Sequence, residues 1–455
     1  MNLMISYYTY FFAVLFALVS SLRFSYLPEI QLLLLLFVFF ILRSKHLFAI
    51  CLILVLSTNT YAIPDALLRL TPGLYPSVYT KNIISSIKVI DIISILTFFS
   101  SILSFDRVVR IKNINIYFFV FLIAFVSTVV SFFYGVVKWE YLLFYIRSAI
   151  LAIGVFSLVS GFTKRKIVEL LYLSMFCWIF KMIFMIIFPS EHVIQREILG
   201  IQWKIFFAGD EYLSFALISA CIILLCNSSV DRVKNYKRCF VYCSFALLLA
   251  ILSQRKGAIP YFFIAFLMMY ASYNGSLFFR VLANASLVFS SALMFFFFTL
   301  VYPNIPELYK LPFFEYYVLY VSAIDSVRNL FSYDPYVGYL GVGAMGLYEI
   351  ISLPAHADHT FSFGQEVGNV YRYAIWNLPF GRLVMNVGLI GFALVCIFLT
   401  LNLHRFSAKY YIYFSILPIF GMYGVTPVSA IYIGFSLAVL YKFSIRNDFR
   451  RGIEF

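Results

Sequence analysis

Apolar runs of about 16–23 residues, cut by short polar breaks, repeat along the whole chain. The runs fall at 4–20, 27–42, 47–63, 83–105, 115–137, 141–161, 167–188, 208–226, 239–253, 257–272, 281–302, 380–401, 410–425 and 427–442. Most match the length needed to cross a hydrocarbon core, and the two on either side of Arg255 are short. They do not alternate with period two, so they fit helices and not the strands of a porin-like barrel. The pattern predicts an all-α integral membrane protein with about 12–14 transmembrane helices. It also predicts one large external loop containing short helices. The first run lacks a basic start and a small-residue cleavage site, so it reads as a retained span.

The organisation follows from the same pattern. Residues 1–302 form the first part of a bundle, 303–379 a long external segment, and 380–455 the last spans and a cytoplasmic tail. Loops this long are usually functional or disordered. This one is rich in Tyr, Phe and Leu, which argues against disorder. Within it, Phe314, Tyr317, Val321, Ile324 and Phe331 recur at helical spacing with Glu315, Ser322, Asp325 and Arg328 between them. That spacing predicts an amphipathic helix on the outer membrane face.

Composition agrees with the membrane expectation. The chain is 63% hydrophobic and only 12% charged, roughly half the charged share of a soluble domain. The net charge of +14 concentrates in alternate loops: Arg43/Lys45, Arg107/Arg110/Lys112, Lys164/Arg165/Lys166, Arg232 to Arg238, Arg405/Lys409 and the tail. This bias puts both termini in the cytoplasm. The basic charge is then a topology signal and gives no ground for a nucleic-acid partner. Cysteines 51, 177, 221, 226, 239, 243 and 396 lie mostly in apolar runs with no CxxC pair, so they read as small buried hydrophobes.

A few polar residues break the pattern. In "LSQRKGAIP", Arg255 and Lys256 stand at the external ends of two adjacent runs, with almost no loop between them. Snorkelling to headgroups is the plain alternative. Cations are disfavoured on that side, however, and the planar Arg fork suits phosphate oxygens. Arg147, in "EYLLFYIRSAILAIGVF", lies about two turns into a run. An Arg there is costly unless it faces a partner or water, so it is a candidate for phosphate contact or a structural ion pair. Lys181 is a weaker candidate of the same kind. Asp91 finds its simplest partner in Lys88 at i−3.

On the external side the candidate acids and bases are His359, Glu366, Asp210 and Glu211. Asp210 and Glu211 open an apolar run, where they would cap a helix or bind sugar hydroxyls. Arg328 and Arg372 add cations in the long loop. "HADH" at 356–359 is too thin a basis for a metal, and no metal or other cofactor is expected.

Three segments resemble Wzy-type O-antigen polymerases and the wider group that includes O-antigen ligases. "LSQRKGAIP" looks like that group's junction between two spans. "SAIDSVRNLFSYDPYVGYLGVGAMG" resembles the segment leading into a Gly-x-Gly turn of a large periplasmic loop. "NVGLIGF" at 386–392 resembles the Gly-x-x-Gly start of the following span. The ligase-like pattern has a His-Asn pair shortly before that Gly-x-x-Gly, where this chain has Asn377-Leu378. A histidine base is therefore not carried over, and polymerase is favoured over ligase.

The resemblance implies a metal-independent glycosyltransferase of the bacterial inner membrane, multi-pass, with its active site facing the periplasm. It would polymerise undecaprenyl-pyrophosphate-linked oligosaccharide units into O-antigen or a related surface polysaccharide. Arg147, Arg255, Lys256, Arg328 and Arg372 would bind pyrophosphate. The expected partners are the lipid-linked glycans, membrane lipid and a chain-length regulator protein. A lipid-linked oligosaccharide flippase is the competing class, with O-antigen ligase behind it.

Overall fold

The computed structural model describes residues 7–21, 26–59, 78–79, 81–84, 87–102, 125–130, 132–133, 139–187, 194–198, 201–205, 232–252, 335–343, 347–349, 365–366, 369–373 and 385–394. It also describes isolated positions near 270–301, 397 and 434–442. The helices are α1 (Tyr7–Ser21), α2 (Leu27–Phe37, continued by a π-helical turn at Val38–Leu42), α3 (Lys45–Thr58), α4 (Val89–Ile102), α5 (Trp139–Ser160), α6 (Lys164–Ile187), α7 (Arg232–Leu252) and the short α8 (Pro335–Leu340).

The membrane-bundle expectation of 12–14 transmembrane helices is corrected here. Among the described residues no helix is long and apolar enough to cross a membrane. α1 to α4 have only 11–15 residues, against about 20 for a span. The longer helices are interrupted by charge. α5 carries Glu140 and Arg147; α6 opens with Lys164, Arg165 and Lys166 and holds Glu169 and Lys181; α7 opens with four cations in its first seven residues.

The chain is also not purely helical. β1 (Asn82–Ile84) pairs with β2 (Ile87–Lys88), and β3 (Ile194–Ile198) with β4 (Ile201–Ile205). β5 (Leu347–Glu349), β6 (Gln365–Glu366) and β7 (Asn369–Tyr373) form a sheet of order β5-β7-β6. All of these strands are short, and hydropathy windows of helical length pass over them. The expected amphipathic helix at 314–331 lies outside the described residues.

The chain forms two compact units interleaved in sequence. The first takes Met1–Val109, Ile150–Ser276 and Pro427–Phe455. In it α1, α3 and α7 pack along α6, and α2 packs on α3 and α4. Contacts between α3 and α6 rise together in both numbers: the His46 and Phe162 rings lie 5.6 Å apart, Ser57 Oγ meets Ser174 Oγ at 3.4 Å, and Lys181 Nζ reaches the Asn59 carbonyl at 2.9 Å. The two helices therefore run parallel. α2 runs antiparallel to α3, since Gln31 near its start meets Asn59 at the end of α3.

Local sequence explains where these helices begin. Pro28 and Glu29 occupy the first turn of α2, where a missing N–H costs nothing and a negative charge meets the helix dipole. Ser44 caps α3, its Oγ accepting from the Leu47 N–H at 3.4 Å. Asp91 does the same for α4 from inside: its Oδ2 accepts the Lys88 backbone N–H at 2.7 Å. Asp91 thus bonds the main chain of Lys88, the residue with which the sequence pairs it. Buried Ser94 and Thr97 bond back to the carbonyls of Ile90 and Ile93, each at 2.7 Å, so they cost the core no unpaired hydroxyl.

At the start of α6, three cations oppose the helix dipole, and the Arg165–Glu169 pair at 3.4 Å relieves part of that charge. His46 sits beside this cluster. Burial, and then the charge of Lys166, hold its imidazole below the ordinary value of 6.5. The folded chain thus binds this proton less readily than the unfolded chain. Stability is full above about 6.5 and falls as the pH drops from there toward the lowered folded value. Melting curves between pH 8 and pH 5 should show this loss, and His46→Gln should flatten it. An equal slope in the variant would assign the pH response to another group.

Candidate functional site

The second unit takes Arg110–Ala149 and Leu277–Thr426. Within it three separate stretches meet. Gly341, Val342 and Gly343 follow α8; Met385–Gly388 opens a helical segment at 385–394; Ser127 and Thr128 belong to a helical segment at 125–130. All of these residues are buried. The Val342 N–H donates to the Met385 carbonyl at 2.8 Å. Ser127 Oγ donates to the Asn386 carbonyl.

Glycine is required at this crossing. Gly341 has φ +89°, Gly343 +74° and Gly388 +67°, a region that disfavours side chains. A Cβ on Gly341 would lie 2.5 Å from the Asn386 carbonyl oxygen and 2.6 Å from the Gly388 nitrogen. A Cβ on Gly343 would lie 2.9 Å from the Thr128 Cα. "LGVG" and "NVG", some 45 residues apart, are therefore one structural feature in which backbone touches backbone.

Of the candidate residues, Arg147 lies in α5 within this unit and is half-buried. Its Nε is buried without a hydrogen-bond partner, while other contacts hold the residue. Glu366 and Arg372 share the three-stranded sheet. Glu366 pairs with Asn369, and Arg372 with Tyr348. Strand alternation puts positions 366, 369, 371 and 373 on one face and 365, 370 and 372 on the other. Positions 366 and 372 therefore belong to opposite faces of the sheet. Asp210, Glu211, Arg255, Lys256, Arg328 and His359 lie outside the described residues, as does the whole of "SQRKGAIP". Among the described residues no three of His, Cys, Asp or Glu converge as a metal site.

In the first unit, Lys181 is buried and bonds the Asn59 carbonyl, and the Asn59 side chain holds Gln31 and the Val78 N–H. Sequence reading missed Asn59 and Gln31, which look like ordinary polar residues at helix ends. The signal was Lys181 itself: a cation three-quarters of the way along an apolar helix needs acceptors from neighbouring elements. No protein-family model matches the chain, and neither a curated protein nor a solved structure is similar to it.

Proposed function

We infer that the chain is a glycosyltransferase that extends a surface polysaccharide from lipid-pyrophosphate-linked repeat units. It works at a bacterial inner membrane on the periplasmic side. The observation that carries this reading is the glycine crossing. Two of the three segments that resemble Wzy-type polymerases, far apart in the chain, meet there through their backbones. A membrane setting is supported by α2, whose Ile30, Leu33, Phe37, Phe40 and Ile41 form an exposed apolar stripe at helical spacing. Water is a poor partner for such a stripe, and lipid a good one.

The reaction needs little from the protein beyond positioning and charge. The non-reducing-end hydroxyl of the incoming unit attacks the anomeric carbon of the growing chain. The new C–O bond forms as the bond to lipid pyrophosphate breaks. The hydroxyl proton goes to an external carboxylate or imidazole, with Glu366, His359, Asp210 and Glu211 as candidates. Negative charge develops on the leaving pyrophosphate, where Arg147, Arg255, Lys256, Arg328 or Arg372 would stabilise it. No metal is needed for that step, and a chain-length regulator would act on its product.

Removing the gene provides the test. Cells of a polymerase mutant carry single repeat units on finished lipid A core. Cells of a flippase or ligase mutant carry none, and that outcome would sink the polymerase reading.

A further inference from the structure

The first unit joins an exposed apolar face to a cationic end. Along α2, Tyr26, Ile30, Leu33 and Phe37 are exposed at helical spacing. The π-turn that follows changes the pattern. Phe40, Ile41 and Leu42 are consecutive apolar residues, 57%, 66% and 45% exposed. Arg43 comes next, exposed, with φ +48°. Left-handed backbone favours glycine or asparagine, so an arginine there accepts strain and places a charge at the end of the apolar face.

The same end of the unit carries further cations. The His46 and Phe162 rings lie 5.6 Å apart, so the turn between α2 and α3 sits beside the turn between α5 and α6. Lys45 opens α3, and Lys164, Arg165 and Lys166 open α6. Burial, and then the charge of Lys164, hold the Lys442 ammonium below its ordinary value, which adds Lys442 to the cluster. Among the described residues of these two turns and the helix starts beyond them, the one acid is Glu169, and Arg165 engages it at 3.4 Å. α3 and α6 run parallel, so the positive ends of both dipoles add to this charge. An external anion relieves that repulsion.

Charge and apolar exposure together select the partner. A nucleic acid would use the cations and leave Phe40, Ile41 and Leu42 in water. A second copy of the chain would cover the apolar residues but bring like charges together. A bilayer with anionic headgroups serves both: acyl chains take the apolar residues, and the headgroups meet the cations beside them.

We propose that the π-turn at Val38–Leu42, Arg43 and the start of α6 form a surface that binds anionic phospholipid headgroups in preference to zwitterionic ones. It rests on the membrane setting inferred above and names the lipid class; it needs nothing from the glycosyl-transfer reading.

Thermal unfolding of the full chain in neutral-detergent micelles tests this, titrated with phosphatidylglycerol or phosphatidylcholine. Wild-type protein is expected to gain more stability from phosphatidylglycerol, and added salt should shrink the difference by screening. Arg43→Gly and Lys166→Gln should each weaken the response to phosphatidylglycerol about five-fold, the share of one cation near an anionic surface. Arg43→Gly should melt no lower than wild type without lipid, because glycine adopts a φ of +48° without strain. Lys81→Gln is the control. Lys81 pairs with Glu29 at the opposite end of α2, at 3.0 Å, so its loss should leave the lipid preference unchanged.

Equal responses to the two lipids overturn the proposal. So does an undiminished preference in Arg43→Gly, which decides the matter if Lys166→Gln does not fold. A concentration-dependent dimer whose formation, and not lipid, sets the melting point also overturns it. Cell fractionation and the glycan pattern read the earlier inference separately. A chain that sediments with membranes but shows no lipid preference keeps the membrane setting and loses this surface. A chain recovered away from membranes removes both. A preference lost in both variants, in a protein whose gene deletion leaves no repeat unit on lipid A core, keeps the surface and removes the polymerase.

Discussion

Gly341→Ala is expected to destabilise the second unit by about 3–5 kcal/mol, enough to unfold most single domains of ordinary stability. Two costs add. A φ of +89° strains any residue with a Cβ. The added methyl would also press on the Asn386 carbonyl oxygen and the Gly388 nitrogen, and both are backbone atoms that cannot rotate aside. Gly388→Ala meets the same obstacle from the other side, against the backbone of Tyr339 and Gly341. Gly161→Ala is the control. Its Cβ would come no closer than 3.4 Å to the Leu158 carbonyl oxygen, an ordinary contact. Melting curves and cellular abundance of the three variants measure the difference. If Gly341→Ala melts with wild type, the two glycine segments do not cross as described, and the site loses its centre.

The second large effect is on chemistry. On the proposed function, Arg147→Ala should cut chain extension by about 100-fold or more while leaving protein level near normal. The reason is that a preorganised guanidinium is most useful where charge develops on the leaving pyrophosphate. Arg147→Lys keeps the charge but loses the planar fork, so an intermediate ladder is expected. The surface-glycan gel reads both, with expression checked in each strain. A normal ladder in Arg147→Ala would make this residue a structural partner within its unit. The pyrophosphate role would then pass to Arg255, Lys256, Arg328 or Arg372.

Helix positions were largely legible in the chain. The apolar runs at 27–42, 47–63, 141–161 and 167–188 correspond to α2 with its π-turn, α3, α5 and α6. Counting those runs as complete spans went too far. A hydropathy window averages over charges such as Arg147, Glu169 and Lys181, whereas each of them has to be accommodated singly. The strands escaped because a hairpin of two to five residues leaves no periodic signal.

Sequence by itself determined the apolar segments, the basic bias of alternate loops and the oddity of Arg147 and Lys181. Those are local properties, set by neighbouring residues and their cost of burial. Only the tertiary structure decided that "LGVG" and "NVG" cross, that Glu366 and Arg372 fall on opposite faces of one sheet, and that Gln31 and Asn59 gather around Lys181. Each of these joins residues from about 6 to 150 positions apart, and no local preference encodes such a distance. Their meeting depends on how helices and strands pack to exclude water, and on where the buried polar groups then find their partners.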